Sequence, residues 1–169
     1  GFAERLDTRR ADVGALARWV FGTRVASVRG SWSRNGQDRT FGLDRERGVR
    51  QTAFGEASLS GTRGIHTWVV GAAVQQDRYA PQDVSRFAYR FDVPAVFAQD
   101  QLTLGNRASL SASARLDAHS EYGALLSPRV SLLWRPAEAW TTRISAGGGT
   151  FAPTPFTEET DETGLTRLA

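Results

Sequence analysis

Asp117, His119 and Glu121 stand two residues apart, a spacing that sets all three on one face wherever the backbone is extended. An imidazole between two carboxylates is a donor set for a metal ion or a metal chelate, and equally a solvated rim. Arg115 precedes them at the same spacing, and Arg129 falls on the next regular stretch. A guanidinium offers paired donors to an anionic ligand, or to a neighbouring carboxylate such as Asp117. Glu158, Glu159, Asp161 and Glu162 form an acidic patch, suited to a cationic ligand, to divalent ions or simply to water. None of these groups calls for catalysis. The serines lack a flanking nucleophile motif, and Gly147-Gly148-Gly149 lacks the Lys and helix start of a phosphate loop. No enzyme activity and no cofactor are expected.

The residues around this cluster supply its scaffold. From Arg107 to Ala118, Ala108, Leu110, Ala112, Ala114, Leu116 and Ala118 alternate without exception with Arg107, Ser109, Ser111, Ser113, Arg115 and Asp117. A period of two over that length makes a strand with one apolar and one polar face, longer than most strands of soluble proteins. Six more stretches show the pattern: Val13 to Phe21, Ala26 to Trp32, Trp68 to Val74, Val96 to Leu104 with a break at Asp100, Val130 to Trp134, and Trp140 to Ala146. Residues 51–60 carry a weaker version, through Ala53, Ala57 and Leu59.

Composition narrows the setting. The longest apolar stretch, Trp68 to Val74, has seven residues, and the mean hydropathy is −0.37. No helix of this chain spans a bilayer, whereas membrane-crossing strands hide their apolar face in such an average. The absence of cysteine removes disulfides, thiolate metal sites and cysteine nucleophiles. All 21 basic residues are arginine, against 18 acids. They are interspersed with acids along the chain, so the clustered footprint of a nucleic-acid binder is missing. Residues 1–12 are polar and contain no signal peptide, and the chain has no Met. The sequence therefore reads as a stretch processed or excised from a longer one.

The eight strands start near residues 12, 24, 51, 65, 93, 107, 127 and 140, so short and long spacings alternate. Turn signals occupy the short gaps: Phe21-Gly22-Thr23, Gly61-Thr62-Arg63-Gly64, Gly105-Asn106 and Pro136 to Ala139. Charged segments at 35–50, 78–92 and 119–126 read as long loops. The reading is all-β: an antiparallel up-and-down transmembrane β-barrel meander of about eight strands, with tight periplasmic turns and long extracellular loops. Both polar ends, 1–11 and 150–169, are then extracellular. Trp19, Phe21, Trp68, Trp134 and Trp140 fall beside the short turns on the apolar face, as membrane-interface aromatics do. Trp32, Tyr79, Phe91 and Tyr122 lie near the opposite rim.

Four segments in order carry a resemblance. Val96-Phe97-Ala98-Gln99-Asp100-Gln101-Leu102-Thr103-Leu104 resembles the strand that TonB-dependent outer-membrane receptors write as F-x-Q-D plus an apolar pair. Ala114-Arg115-Leu116-Asp117 is similar to their G-x-R-x-D strand end, and Leu126-Ser127-Pro128-Arg129-Val130 to their L-S-P-R segment. Ile144 to Thr154 is similar to the strand ending G-x-G-F-R-A-P, except that Phe151 runs directly into Ala152 without the Arg. The match covers residues 95–155, and residues 1–94 agree in pattern only.

The resemblance implies that residues 1–169 are a partial barrel domain, part of a wall of roughly 22 strands, in the bacterial outer membrane. It implies uptake of a siderophore, cobalamin or similar scarce ligand with TonB energy coupling, through a plug absent from this chain. The implied partners are outer-membrane lipid and lipopolysaccharide, the TonB system, and a ferric chelate or other small ligand, with no nucleic acid. Arg115, Asp117, His119, Glu121 and Arg129 are then candidate ligand-binding residues at the lumenal rim, and no metal or catalytic residue is assigned. Two other readings compete: a complete eight-stranded barrel with an anchoring or adhesive role, and a soluble β domain binding glycan or nucleic acid.

Overall fold

The structure, a computed structural model, describes residues 4–150, 152 and 153. Eight strands follow one another: β1 (Glu4–Phe21), β2 (Arg24–Phe41), β3 (Asp44–Arg63), β4 (His66–Pro81), β5 (Tyr89–Leu104), β6 (Ala108–His119), β7 (Gly123–Trp134) and β8 (Thr142–Gly147). Each pairs antiparallel with the next in one sheet ordered β1 to β8. A single helical turn, Ser85–Phe87, lies between β4 and β5. Among the described residues β1 and β8 do not pair with each other, so the sheet is an open wall.

The two faces of the wall follow directly from register. Residues opposite one another in an antiparallel pair share a face. Ala17 pairs with Val28, Val28 with Ala57, Ala57 with Ala72, Ala72 with Val96, Val96 with Leu116 and Leu116 with Leu126. This row is apolar across seven strands, and its neighbours two residues away repeat it. The opposite face carries Ser27, Arg29 and Ser31 on β2, Ser109, Ser111 and Ser113 on β6, and Ser127, Arg129 and Ser131 on β7.

Burial inverts the arrangement of a soluble sheet. Ala73, Phe91 and Ala95 are the buried hydrophobics among the described residues, and all three lie on the polar face, which is the concave one. The large apolar side chains on the other face are open, Val28 at 47% and Ile144 at 64% exposure. An apolar convex face that is uncovered, over a polar concave one, is stable only where hydrocarbon takes the place of water.

Stagger gives the tilt. Along the register, Phe21 at the first hairpin aligns with Gly61 and Asp100. The second hairpin begins after Arg63 and the third after Leu104. The turns therefore step two residues further at each hairpin, one residue per strand. With a rise of about 3.3 Å per residue and strands about 4.8 Å apart, that step tilts the strands by roughly 35°, the range of closed membrane barrels. The outward row from Pro94 to Leu104 then spans roughly 27 Å of height, close to the apolar band of about 25 Å expected of an outer-membrane barrel.

The loops differ from the sequence reading. Residues 35–50 are the far ends of β2 and β3, joined by a two-residue turn at Gly42-Leu43. Residues 119–126 contain only a three-residue turn, and within 78–92 only 82–88 form a connection, equal in length to that at 135–141. Likewise the polar segment 4–11 is strand. Alternation is lost there because both strand faces lie beyond the apolar band, and neither is selected for hydrocarbon. Ladder bonds and cross-strand ion pairs hold them instead: Arg39 with Glu4 at 3.1 Å, Arg45 with Asp38, and Arg47 with Asp83 at 3.0 Å. Strand β8 starts at Thr142, so Trp140 belongs to the preceding turn.

Gly22, Gly42 and Gly64 each open a two-residue hairpin turn with φ near +60°, while no other residue type has positive φ among those described. Glycine first and an ordinary residue second is the type II′ hairpin, matched to strand twist. Gly71 serves differently. A Cβ there would stand 2.7 Å from the Ala57 carbonyl and 2.9 Å from Cε1 of Phe97, whose ring lies over the glycine.

Gly71→Val is expected to destabilise the wall by about 1–3 kcal/mol through overpacking. Gly14→Ala, whose Cβ would meet nothing closer than 3.5 Å, should be nearly neutral in the same urea titration in lipid vesicles. The face assignment is checked by adjacent residues: Val28→Arg, pointing outward, should cost about 2–4 kcal/mol, and Ser27→Arg, pointing inward, much less. Equal costs would contradict it.

Candidate functional site

The concave face at the end remote from Gly22 and Gly64 carries a continuous aromatic wall. Tyr79 of β4 pairs with Tyr89 of β5, and their rings stack at 6.0 Å. Tyr89 stacks on Phe91 at 4.8 Å, Phe91 meets His119 of β6 at 4.9 Å, and His119 meets Tyr122 at 4.8 Å. Alternation produces this order, since Tyr79, Tyr89, Phe91 and His119 all fall on the polar-face register of their strands. Glycine makes room for it: Gly48 on β3 leaves the space that the Tyr79 ring occupies. The Tyr122 hydroxyl donates to the Pro153 carbonyl at 2.9 Å.

Beside the rings lies a half-buried ion pair, its carboxylate buried and its guanidinium partly exposed. Arg50 donates to both oxygens of Asp77 at 3.2 and 2.6 Å, and the Thr52 hydroxyl adds a contact at 3.5 Å. Burial, reinforced by the negative charge of Asp77, pushes the Tyr89 phenol up to about 12. The ring therefore stays neutral as a stacking surface and hydrogen-bond donor.

The residues singled out from sequence meet this wall only partly. His119 is 7% exposed and its ring is held between Phe91 and Tyr122, while Nδ1 accepts the Glu121 backbone N–H at 3.1 Å. Glu121 sits in the turn rather than on the strand, so its side chain does not continue the row of Asp117 and His119. Arg115 pairs with Asp117 at 2.8 Å along the same strand face. Arg129 lies across from Ser113, on the same concave face as Arg115 but one register step away. No group of three metal-ligating side chains occurs among the described residues. The acidic patch at Glu158, Glu159, Asp161 and Glu162 lies outside the described residues.

The aromatics divide in a way that sequence did not reveal. Trp19, Phe21, Trp68 and Trp134 lie on the apolar convex register within two residues of a strand end, and Trp140 is 68% exposed in the adjoining turn. Trp32 is outward in the middle of β2, whereas at the opposite end Tyr79 and Phe91 point inward and join the wall. Residues 78–92 read as a loop because of their charges. Yet Tyr89, Phe91 and Val93 alternate with Arg90 and Asp92, a period-two signal that marks the inward face.

A staggered antiparallel wall, apolar outside, polar inside and edged by aromatics, defines the barrel wall of an outer-membrane protein. The chain belongs to the TonB dependent receptor-like β-barrel family, whose profile matches residues 3–161. Among solved structures it is similar to the siderophore receptor PirA from Pseudomonas aeruginosa, with a TM-score of 0.52 and 18% identity over 88% of this chain. That alignment covers 34% of the receptor, so the chain spans about a third of its length. The likeness at this identity is one of fold. A comparison with curated protein sequences gave no match.

The far rim should be acid-sensitive. A hydrogen bond from Arg45 holds the Asp38 carboxyl below its ordinary value, and the Arg47 side chain does the same for Asp83. Carboxyls lowered in the folded state contribute their stability fully above an ordinary pKa of about 4, and lose it as pH falls through the lowered values. Amide exchange corrected for intrinsic rates should show residues 38–47 losing protection as pH falls below the ordinary carboxyl range of about 4 while residues 55–60 keep theirs. Unchanged protection of the tip would argue against pairing as its support.

Proposed function

We propose that these strands form part of the wall of an outer-membrane receptor that imports a scarce ligand, a ferric siderophore bearing aromatic groups, with energy supplied through TonB. The girdle end faces the periplasm and the aromatic wall faces the cell exterior. The observation that carries this reading is the stacked ring surface on the concave side, in a chain of the TonB dependent receptor-like family. Fold similarity to a siderophore receptor supports it.

Neutral rings offer flat, desolvated area to an arene or to the apolar body of a chelate. Arg115, held by Asp117, supplies a guanidinium nearer the rings, and Arg129 a second one deeper in the wall, both suited to anionic groups. His119 and Glu121 position Tyr122 rather than bind metal, because the His119 nitrogen nearest the turn is already engaged. A metal reaches such a site as part of the chelated cargo. In this reading the residues are a partial barrel domain of a wall of roughly 22 strands. The edges of β1 and β8 pair with further strands, and the plug that contacts TonB lies outside them.

The test uses the full-length protein in iron-starved cells that lack their own receptor, supplied with radiolabelled ferric catecholate siderophore. Uptake should require TonB, and Tyr89→Ala with Phe91→Ala should weaken binding about tenfold, as loss of two stacking surfaces predicts, at unchanged surface level. Uptake that persists without TonB, or that is indifferent to both substitutions, would remove the reading.

A further inference from the structure

The convex face holds a feature that ligand import does not use. At its girdle end Arg63 closes β3 directly opposite His66, which opens β4. Asp100, the acid that interrupts the apolar row of β5, lies opposite Trp68 on that same outward face. His66 Nδ1 and Asp100 Oδ2 are 2.6 Å apart. Asp100 Oδ1 is shielded and has no hydrogen-bond donor among the described residues.

From this polar head an open groove of about 1060 Å³ runs into the apolar band. Its floor is cut by small side chains, Ala98, Ala112 and Ala114, and its flanks are Trp68 on one side and Pro128 and Val130 on the other. A carboxylate set into a hydrocarbon-facing surface is costly unless a cation stands beside it. Arg63 is one positive group at the mouth; a further cation is called for near Asp100.

We infer that this groove binds one phospholipid of the adjoining leaflet, a zwitterionic lipid with a primary ammonium headgroup of the phosphoethanolamine type. The acyl chains lie along Ala98, Ala112 and Ala114, continuous with the apolar band. The phosphate accepts from Arg63, and the ammonium stands beside Asp100, where its charge offsets the carboxylate. The headgroup's order of charge, minus then plus, matches the order Arg63 then His66–Asp100. A lipid with an anionic headgroup and no ammonium satisfies only the first half.

The full-length protein, delipidated in mild detergent, is titrated with phosphatidylethanolamine or phosphatidylglycerol of identical chains and read by native mass spectrometry. Phosphatidylethanolamine should be retained about tenfold more tightly, the scale of one charge-assisted contact. Asp100→Asn should abolish the preference, Arg63→Gln should weaken both lipids, and Ala112→Trp, which fills the groove from the outward face, should release the site lipid altogether. Heat-modifiable gel mobility confirms that each variant is folded, and Arg63→Gln at an exposed turn serves if Asp100→Asn is not. Equal retention of the two lipids by the unsubstituted protein, a preference that survives Asp100→Asn, or a protein chain found on the groove in place of lipid overturns the proposal.

Discussion

A backbone that crosses hydrocarbon must find every hydrogen-bond partner on a neighbouring strand, since no water is there to supply one. The other features of this wall follow from that requirement. It forces continuous ladders, so β1 to β5 pair over 14 to 18 residues rather than the few of a soluble sheet. It confines irregular backbone to the two ends, where the type II′ glycine turns and the 82–88 connection lie. It also makes an unpaired edge costly, and among the described residues the outer edges of β1 and β8 are the unpaired ones.

The same ladder fixes function through parity. With one face given to lipid, every second residue is available to the lumen, and the register decides which strands pool their side chains. Tyr79, Tyr89, Phe91 and His119 come from three strands and meet only because the pairings Tyr79 with Tyr89 and Asp77 with Phe91 align them. A one-residue slip of β5 would turn Arg90 and Asp92 inward and the rings toward lipid. The inward ring surface and the outward apolar surface are therefore set together.

This explains which features were legible in the sequence. Where one face meets hydrocarbon, as from Ala108 to Ala118, alternation is complete and the strand, its faces and its turns could be read directly. Ala53, Ala57 and Leu59 gave a faint signal because Gly55 and Gly61 complete their row with no side chain at all. Beyond the apolar band neither face is constrained, so residues 35–50 looked like a loop although they are paired residue by residue. Asp117, His119 and Glu121 share a spacing, but the strand ends at His119 and the spacing loses its geometric meaning there. The partner that disarms His119 as a ligand, a backbone N–H two residues on, leaves no mark in residue types.

The division between the two regions is also energetic. Exposed ion pairs such as Arg5 with Asp7 or Arg45 with Asp38 are screened by water and add little, so a hairpin whose ladder is supported by such pairs opens at low cost. Within the band an opened ladder would strand polar backbone in hydrocarbon, at several kcal/mol per group. The strands therefore form a rigid frame that ends in a compliant rim. The rings of Tyr89 and Phe91 stand at the boundary between them, on β5 just beyond the outward row that begins at Pro94. The ion pairs of the rim are weak for the same reason that its sequence is irregular: water reaches both of its faces.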